Sequence, residues 1–321
     1  MNFPVFDLHC DTVLELLGAD FNQPGSLRKN TFHIDLERAK KLPGYCQCFA
    51  CYTSPMQEQK RKISSVLAFE RELVSLQREF DANRDLIELV YEPGDIERNR
   101  EKGKMSAILT LEGTAGFGYD PEMLEDLHAI GFRISTLGWN EKNVLTGSNV
   151  TGGGLTDRGV EFVREAQRLG ILVDVSHISD EGFWDIMKIT DAPILATHSN
   201  SRALCGHSRN LTDDMFRAIC ETGGVAGINQ CDEFIGENPT LDTVCDHIFH
   251  FLELDPTGKH IALGGDLDGI DGMSQGFEGV QSYPALAQRL VQRGLEEKTV
   301  MDIYWNNAIG VMEGALRNHK K

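Results

Sequence analysis

No apolar run in this 321-residue chain approaches the roughly 18 residues that span a bilayer. Basic residues are also scarce: 31 Lys and Arg stand against 49 Asp and Glu, a formal net charge of −18. That balance repels phosphate backbones and anionic lipid surfaces, so neither a nucleic-acid nor a membrane partner is expected. The short apolar stretch at the N-terminus has no basic segment ahead of it, so no secretion signal is read there and a cytoplasmic location is expected. Internal repeats, low-complexity blocks and long Pro/Ser-rich linkers are missing. Nothing therefore divides the chain, and 1–321 reads as a single domain. With 41% hydrophobic and 25% charged residues, the composition is that of a soluble globular protein with a large core.

The eight cysteines (Cys10, Cys46, Cys48, Cys51, Cys205, Cys220, Cys231 and Cys245) are too few for a disulfide scaffold at this length, and a reducing cytoplasm keeps them as thiols. Cys46, Cys48 and Cys51 have no second ligand pair at zinc-ribbon spacing. Their run reads instead as a strand with Cys46 and Cys48 on one face and Cys51 on the other.

What recurs is an alternation of short β-branched or apolar runs with longer amphipathic stretches, the pattern of a parallel sheet with helical crossovers. Eight strands are predicted: Pro4–His9, Cys46–Tyr52, Ser106–Leu111, Phe132–Leu137, Ile171–Ser176, Pro193–Thr197, Gly224–Asn229 and Ile261–Gly265, with Leu86–Tyr91 as a side strand. Val66, Phe69, Leu73, Leu76 and Phe80 recur at helical steps and make one apolar stripe. Thr156 or Asp157 caps a helix that runs through Leu169 and closes at Gly170. Eight βα units at this length fit an α/β fold of the (β/α)8 (TIM) barrel type, with an open doubly wound sheet as the rival. The polar, Gly-rich loop between Trp139 and Leu155 is either an active-site lid or an excursion without a role.

The residues that end these strands carry the chemistry. His9 and Asp11 close the first, Glu112 the third, His177 the fifth, His198 the sixth and Asp266 the eighth. Parallel barrels place their active sites at these C-terminal ends. His9 and Asp11 are two apart and so point to one side of an extended strand. Three imidazoles and three carboxylates in one bowl would repel or protonate unless cations pair them. Two divalent cations resolve this, and imidazole plus carboxylate suits Zn²⁺, with Mn²⁺, Fe²⁺ or Co²⁺ also open. One cation takes His9 and Asp11, the other His177 and His198, and Glu112 bridges them. A shared hydroxide is then the nucleophile, oriented by Asp266, which also carries a proton to the leaving group. His247 and His250 read as a helix face without a third ligand, and His33, His128, His260 and His319 suggest no role.

Asp7-Leu-His-Cys-Asp11-Thr, Leu111-Glu-Gly113, Gly154-Leu-Thr-Asp-Arg-Gly159, Leu169-Gly170, Asp174-Val-Ser-His-Ile-Ser179, Thr197-His-Ser-Asn200, Arg209-Asn210 and Gly264-Gly-Asp-Leu-Asp-Gly269 follow one another along nearly the whole chain. In these motifs the sequence resembles the membrane (renal) dipeptidase family, the M19 metallopeptidases. The resemblance implies a (β/α)8 barrel with a binuclear zinc centre that hydrolyses dipeptides, including those with a C-terminal D-residue, and suggests a homodimer. It implies His9, Asp11, Glu112, His177 and His198 as metal ligands and Asp266 as the acid beside the bridging water. It also implies that Arg209 holds the substrate's free carboxylate, a role that suits a permanently charged planar fork. Asp11 or Glu112 would take the amine. The alternative for Arg209 is a surface ion pair with Asp213 or Asp214.

One position departs from the family. Animal members carry a His after the fourth strand that is thought to touch the tetrahedral intermediate, and here Leu137-Gly138-Trp139-Asn140 stands there. Trp139 donates one hydrogen bond but takes up no proton. Oxyanion stabilisation is then expected from the metals or Asn140, with Trp139 either a substrate contact or an aromatic wall. Two other readings stay open: a binuclear amidohydrolase acting on a non-dipeptide amide or ester, and a metal-binding relative without turnover. The bridging lysine usual in several such amidohydrolases is missing from the fourth strand.

Overall fold

The computed structural model describes residues 2–18 and 25–318; Met1, 19–24 and the tail 319–321, His319 among them, lie outside it. Nine parallel strands run through the described residues: β1 (Val5–Cys10), β2 (Tyr45–Tyr52), β3 (Ile87–Leu89), β4 (Met105–Glu112), β5 (Phe132–Thr136), β6 (Leu172–Asp174), β7 (Ile194–Ala196), β8 (Val225–Ile228) and β9 (Ile261–Leu263). Eight of them follow the order β2-β1-β9-β8-β7-β6-β5-β4, and β2 pairs back onto β4 from Cys46↔Ser106 to Tyr52↔Glu112, which closes a (β/α)8 barrel. The ninth, β3, is the expected side strand. It takes the first part of one edge of β4 at Ile87↔Met105, and β5 takes the rest from Leu109 onward.

Alternation along the strands sorts the core into two clusters. Phe6, Leu8, Cys46, Cys48, Ile108, Ile134, Leu172, Leu195, Val225 and Ala262 pack together with Trp305 and Met312 of the C-terminal segment. Their strand neighbours of opposite parity, such as Met105, Ala107, Leu109 and Leu111 on β4, pack outward against the helices. Cys46 and Cys48 fall in the inner cluster and Cys51 in the outer one, as their spacing predicts.

The two helices read from the sequence are present. Thr156 Oγ1 accepts from Gly159 N (3.1 Å) at the start of the helix Asp157–Arg168, and Gly170, at φ 75°, follows its end. The helix Ser65–Ala82 buries Phe69, Leu76 and Phe80, but not Val66, which is 52% exposed. Its inner face holds Ser65, Glu72 and Ser75 as well, so the apolar stripe is a narrower guide to burial than its period suggests.

Five of the eight barrel strands stop short of their predicted ends: β5 at Thr136, β6 at Asp174, β7 at Ala196, β8 at Ile228 and β9 at Leu263. Beyond these points side chains replace the ladder. Asp174 Oδ1 accepts from both Ser176 N and Thr197 N at 2.9 Å. The backbone then turns through left-handed conformations at His177 (φ 70°) and Asp266 (φ 57°), which are uncommon outside glycine and cluster at functional sites.

Candidate active site

His9 reaches the barrel mouth only because β1 is irregular. Phe6 and Leu8 face the inner cluster, so simple alternation would turn His9 outward. Between Asp7↔Gln47 and Cys10↔Phe49, however, β1 spends three residues against two of β2. This bulge reverses the phase, leaves Cys10 in the outer cluster and swings His9 and Asp11 inward. Asp7, which the sequence reading passed over, pins it: Oδ1 accepts from His9 N (3.1 Å) and Gly265 N (2.9 Å), and Oδ2 from the Tyr283 hydroxyl.

All six predicted rim residues come together, none more than 8% exposed. Glu112 stands at the centre. Its Oε1 lies 3.0 Å from His177 Nε2 and 3.9 Å from His198 Nε2, while its Oε2 lies 3.6 Å from His9 Nε2. His9 Nε2 also has Asp11 Oδ2 at 3.4 Å and Asp266 Oδ1 at 3.9 Å. One carboxylate thus faces two groups of donors.

Second partners fix the imidazoles. His177 Nδ1 donates to Asn140 Oδ1 (2.9 Å). Thr197 Oγ1 gives its proton to Asp174 Oδ2 (2.6 Å) and so accepts from His198 Nδ1 (2.7 Å). Both rings therefore present Nε2 lone pairs, and these face each other at 3.0 Å. Two facing lone pairs repel unless a cation or proton lies between them. His9 Nε2 and Asp11 Oδ1 are buried without a hydrogen-bond partner. Nitrogen and carboxylate oxygen at this spacing form a donor set that fits a divalent transition metal, and His9, Glu112, His198 and His9, Asp11, Asp266 each bring three ligand atoms within 4.8 Å.

Electrostatics agrees. Burial, then the charge of Asp11, pushes Glu112 up to about 8, and burial raises Asp266. Burial also opposes charge on His9, but Glu112 and Asp11 outweigh it and hold the ring well above its ordinary value. Burial, reinforced by His9 and Arg209, keeps His177 and His198 well below theirs. Glu112 and His9, both held above their ordinary values, would release protons to a cation on binding.

Above the rim lies a cavity of about 650 Å³, within the range of small-molecule sites. Arg209 lines it, 5% exposed, with Nη1 to Ser199 Oγ and Nη2 to His198 O, both 3.3 Å. Its Nε has no partner, and its guanidinium lies 5.5 Å over Phe234. The surface ion pair considered for it does not form: Asp213 pairs with His250 and Asp214 with Arg217. Trp139 lines the cavity beside Tyr52, ring centroids 5.1 Å apart. Asn140 also lines it, with its Oδ1 engaged by His177. The loop that follows is built into the mouth: Leu145, Thr146 and Ser148 are buried, Asn149 N donates to His177 O (2.8 Å), and Asn149 and Val150 line the cavity.

Asn229 was also missed; its Nδ2 donates to Asp266 Oδ2 (2.9 Å) and to His198 O (3.1 Å). His247 lies on the buried face of the helix Leu241–Leu254, accepting from Ser201 N and donating to Ile235 O.

A barrel with buried nitrogen and carboxylate donors at its C-terminal mouth defines a class of metal-binding α/β proteins. Comparison narrows the class. The family described as membrane dipeptidase (peptidase family M19) matches residues 1–321, and this chain belongs to it. An uncharacterized dipeptidase of Schizosaccharomyces pombe is 36% identical over 217 residues, 65% of this chain and 53% of that protein. An uncharacterized Klebsiella pneumoniae protein is 32% identical over 242 residues, 71% of this chain and 88% of its own length. This chain thus spans about half the length of the Schizosaccharomyces relative. Among solved structures, a metallo peptidase from Rhodobacter sphaeroides, liganded with a phosphinate mimic of the dipeptide L-Ala-D-Ala, superposes with a TM-score of 0.87 at 27% identity, covering 98% of this chain and 99% of that one. No helix among the described residues is long and apolar enough to cross a membrane.

Proposed function

We propose that residues 1–321 act as one metallodipeptidase domain, loaded with two Zn²⁺ and working as a cytoplasmic homodimer. The observation that carries this reading is Glu112, whose two oxygens face separate donor groups at 3.0 and 3.6 Å. His9 and Asp11 would hold one cation and His177 and His198 the other, with Glu112 placed to serve both. The pair supplies Lewis acidity, which polarises a carbonyl and lowers the pKa of water. Asp266, fixed by Asn229, takes the proton of the attacking water and delivers it to the amide nitrogen as the C–N bond breaks. Arg209 pairs with the substrate's carboxylate through its guanidinium, and Asp11 or Glu112 takes the amine. Trp139 walls the site, and Asn140 orients His177 and borders the substrate. The Rhodobacter peptidase's ligand supports dipeptides with a C-terminal D-residue among the substrates.

The test is a panel of L,L and L,D dipeptides given to the metal-reconstituted protein, before and after EDTA. Hydrolysis that chelation abolishes is expected. Two bound metals without hydrolysis of any dipeptide would favour a binding protein, and full activity after verified metal removal would overturn the mechanism.

A further inference from the structure

We infer that this enzyme prefers dipeptides whose second residue carries a cationic side chain, lysine or arginine, an inference that rests on the dipeptidase reading above. Six carboxylates and one guanidinium line the cavity. Asp11, Glu112 and Asp266 belong to the rim. Asp232, Glu233 and Asp271 do not, and none of these three forms an ion pair with a described Lys, Arg or His. Elsewhere nearby, acids are matched: Asp180 meets Arg202 at 2.7 Å and Asp214 meets Arg217 at 3.0 Å.

The three unmatched acids share a wall. Asp232 N donates to Gly272 O (3.1 Å), and Cys231 bridges Met273, so the loops after β8 and β9 are joined there. The approach is close enough to require glycine, since a Cβ at Gly272 would lie 2.2 Å from Asp232 Oδ2. That wall adjoins Arg209, because Phe234, the residue after Glu233, lies under its guanidinium. Arg209 itself is a buried cation with an unpartnered Nε and lines the same cavity. Once Arg209 pairs with the substrate's carboxylate, no lysine or arginine remains on the wall for the adjoining acids, and burial holds His207, which also lines it, below its ordinary value. A side chain that leaves the same substrate residue meets them, so an ammonium or guanidinium is attracted and a carboxylate repelled.

The experiment measures kcat/KM for L-Ala-X, with X as Lys, Arg, Gln, Ala or Glu in both L and D forms, at low and high salt. The Lys:Glu ratio is expected to exceed about 10 at low ionic strength, with Gln between, and to shrink roughly threefold or more near 1 M salt, where the Debye length is only about 3 Å. In the triple variant Asp232→Asn, Glu233→Gln, Asp271→Asn the ratio should fall to within roughly threefold of unity. Because the readout is a ratio within one preparation, partial loss of active protein does not blur it. Should the triple variant not fold, Glu233→Gln alone, at an exposed side chain, should still lower the ratio. Hydrolysis of L-Ala-Ala with a Lys:Glu ratio near one, or a ratio that neither salt nor Glu233→Gln moves, overturns this inference and leaves the dipeptidase reading standing. Failure to hydrolyse any member overturns both.

Discussion

The floor and the rim of the barrel are equally dry and chemically opposite. On β4, Ile108 is fully buried, and Glu112, one helical-turn's worth of sequence further on, is 3% exposed. Below, Phe6, Leu8, Ile108, Leu172 and Leu195 fill the interior with side chains that each contribute about 1.5–3 kcal/mol by leaving water. Above, the same desolvation acts on carboxylates and imidazoles, where it costs stability unless charges are paired. Burial thus stabilises the fold at one height and prepares reactivity a few residues higher. Substitutions on the floor should change stability and spare chemistry, whereas those on the rim should do the reverse.

The sharpest test is Glu112→Gln, which keeps the shape and removes the charge. The amide cannot serve two cations, so kcat/KM should fall about 10³-fold or more, with metal content lowered. The melting temperature of the metal-stripped protein should not fall, because a crowded buried carboxyl has gone. Calorimetry, metal analysis and turnover on one preparation decide it; a variant that keeps its metals and activity would erase the distinction between floor and rim. The sign of the pH dependence follows from the same residue. Glu112 is raised to about 8, so a proton must leave for a cation to bind. Metal affinity in the parent therefore climbs as pH rises toward 8 and weakens below it, and Glu112→Gln should flatten that slope.

The rim was legible in the sequence, while much of what holds it was not. An H-x-D pair, single His and acid residues at later strand ends and the rhythm of eight strands mark the barrel and its mouth by residue type and spacing alone. The β1 bulge carries no such mark: no Gly or Pro signals it, and alternation from Phe6 and Leu8 predicts the wrong direction for His9. Asp174 and Thr197 stand within recognisable motifs, yet their relay to His198 crosses between strands and has no local signal. The overlong strand predictions that end just before His177 and Asp266 have a related cause: left-handed turns at non-glycine residues are set by the packed loops, not by local propensity.

The next-largest effect is expected one step away from the metal donors. Arg209→Met keeps the bulk and removes the fork, so kcat/KM for dipeptides should drop about 10²-fold, mainly through KM, as for hydrogen bonds to a charged group. A loss below threefold would return Arg209 to a structural role and favour a substrate without a free carboxylate. Thr197→Val should act more weakly, through His198 and through the Asp174 carboxylate that the same hydroxyl also holds. It removes the acceptor that holds Nδ1, and metal affinity, read by chelator competition, should fall roughly tenfold.

The smallest effect is the most discriminating. Ile108→Val removes one methylene from the floor, on the strand that presents Glu112. The site is fully buried, so the lost contacts should cost about 0.5–1.5 kcal/mol of stability in denaturant unfolding. The carboxylate at the top of β4 is held by the β2 and β5 ladders on either side, from Cys46↔Ser106 up to Tyr52↔Glu112 and at Thr110↔Ile134. A methylene-sized gap beneath should relax among the flexible neighbours Leu8, Cys48 and Leu172 before it tilts that ladder. kcat/KM should therefore stay within roughly twofold of the parent, while the same shift at the rim would cost far more. If Ile108→Val instead lowers turnover tenfold at unchanged metal content, floor and rim are one mechanical unit, and the packing below Glu112 belongs to the machinery that positions it.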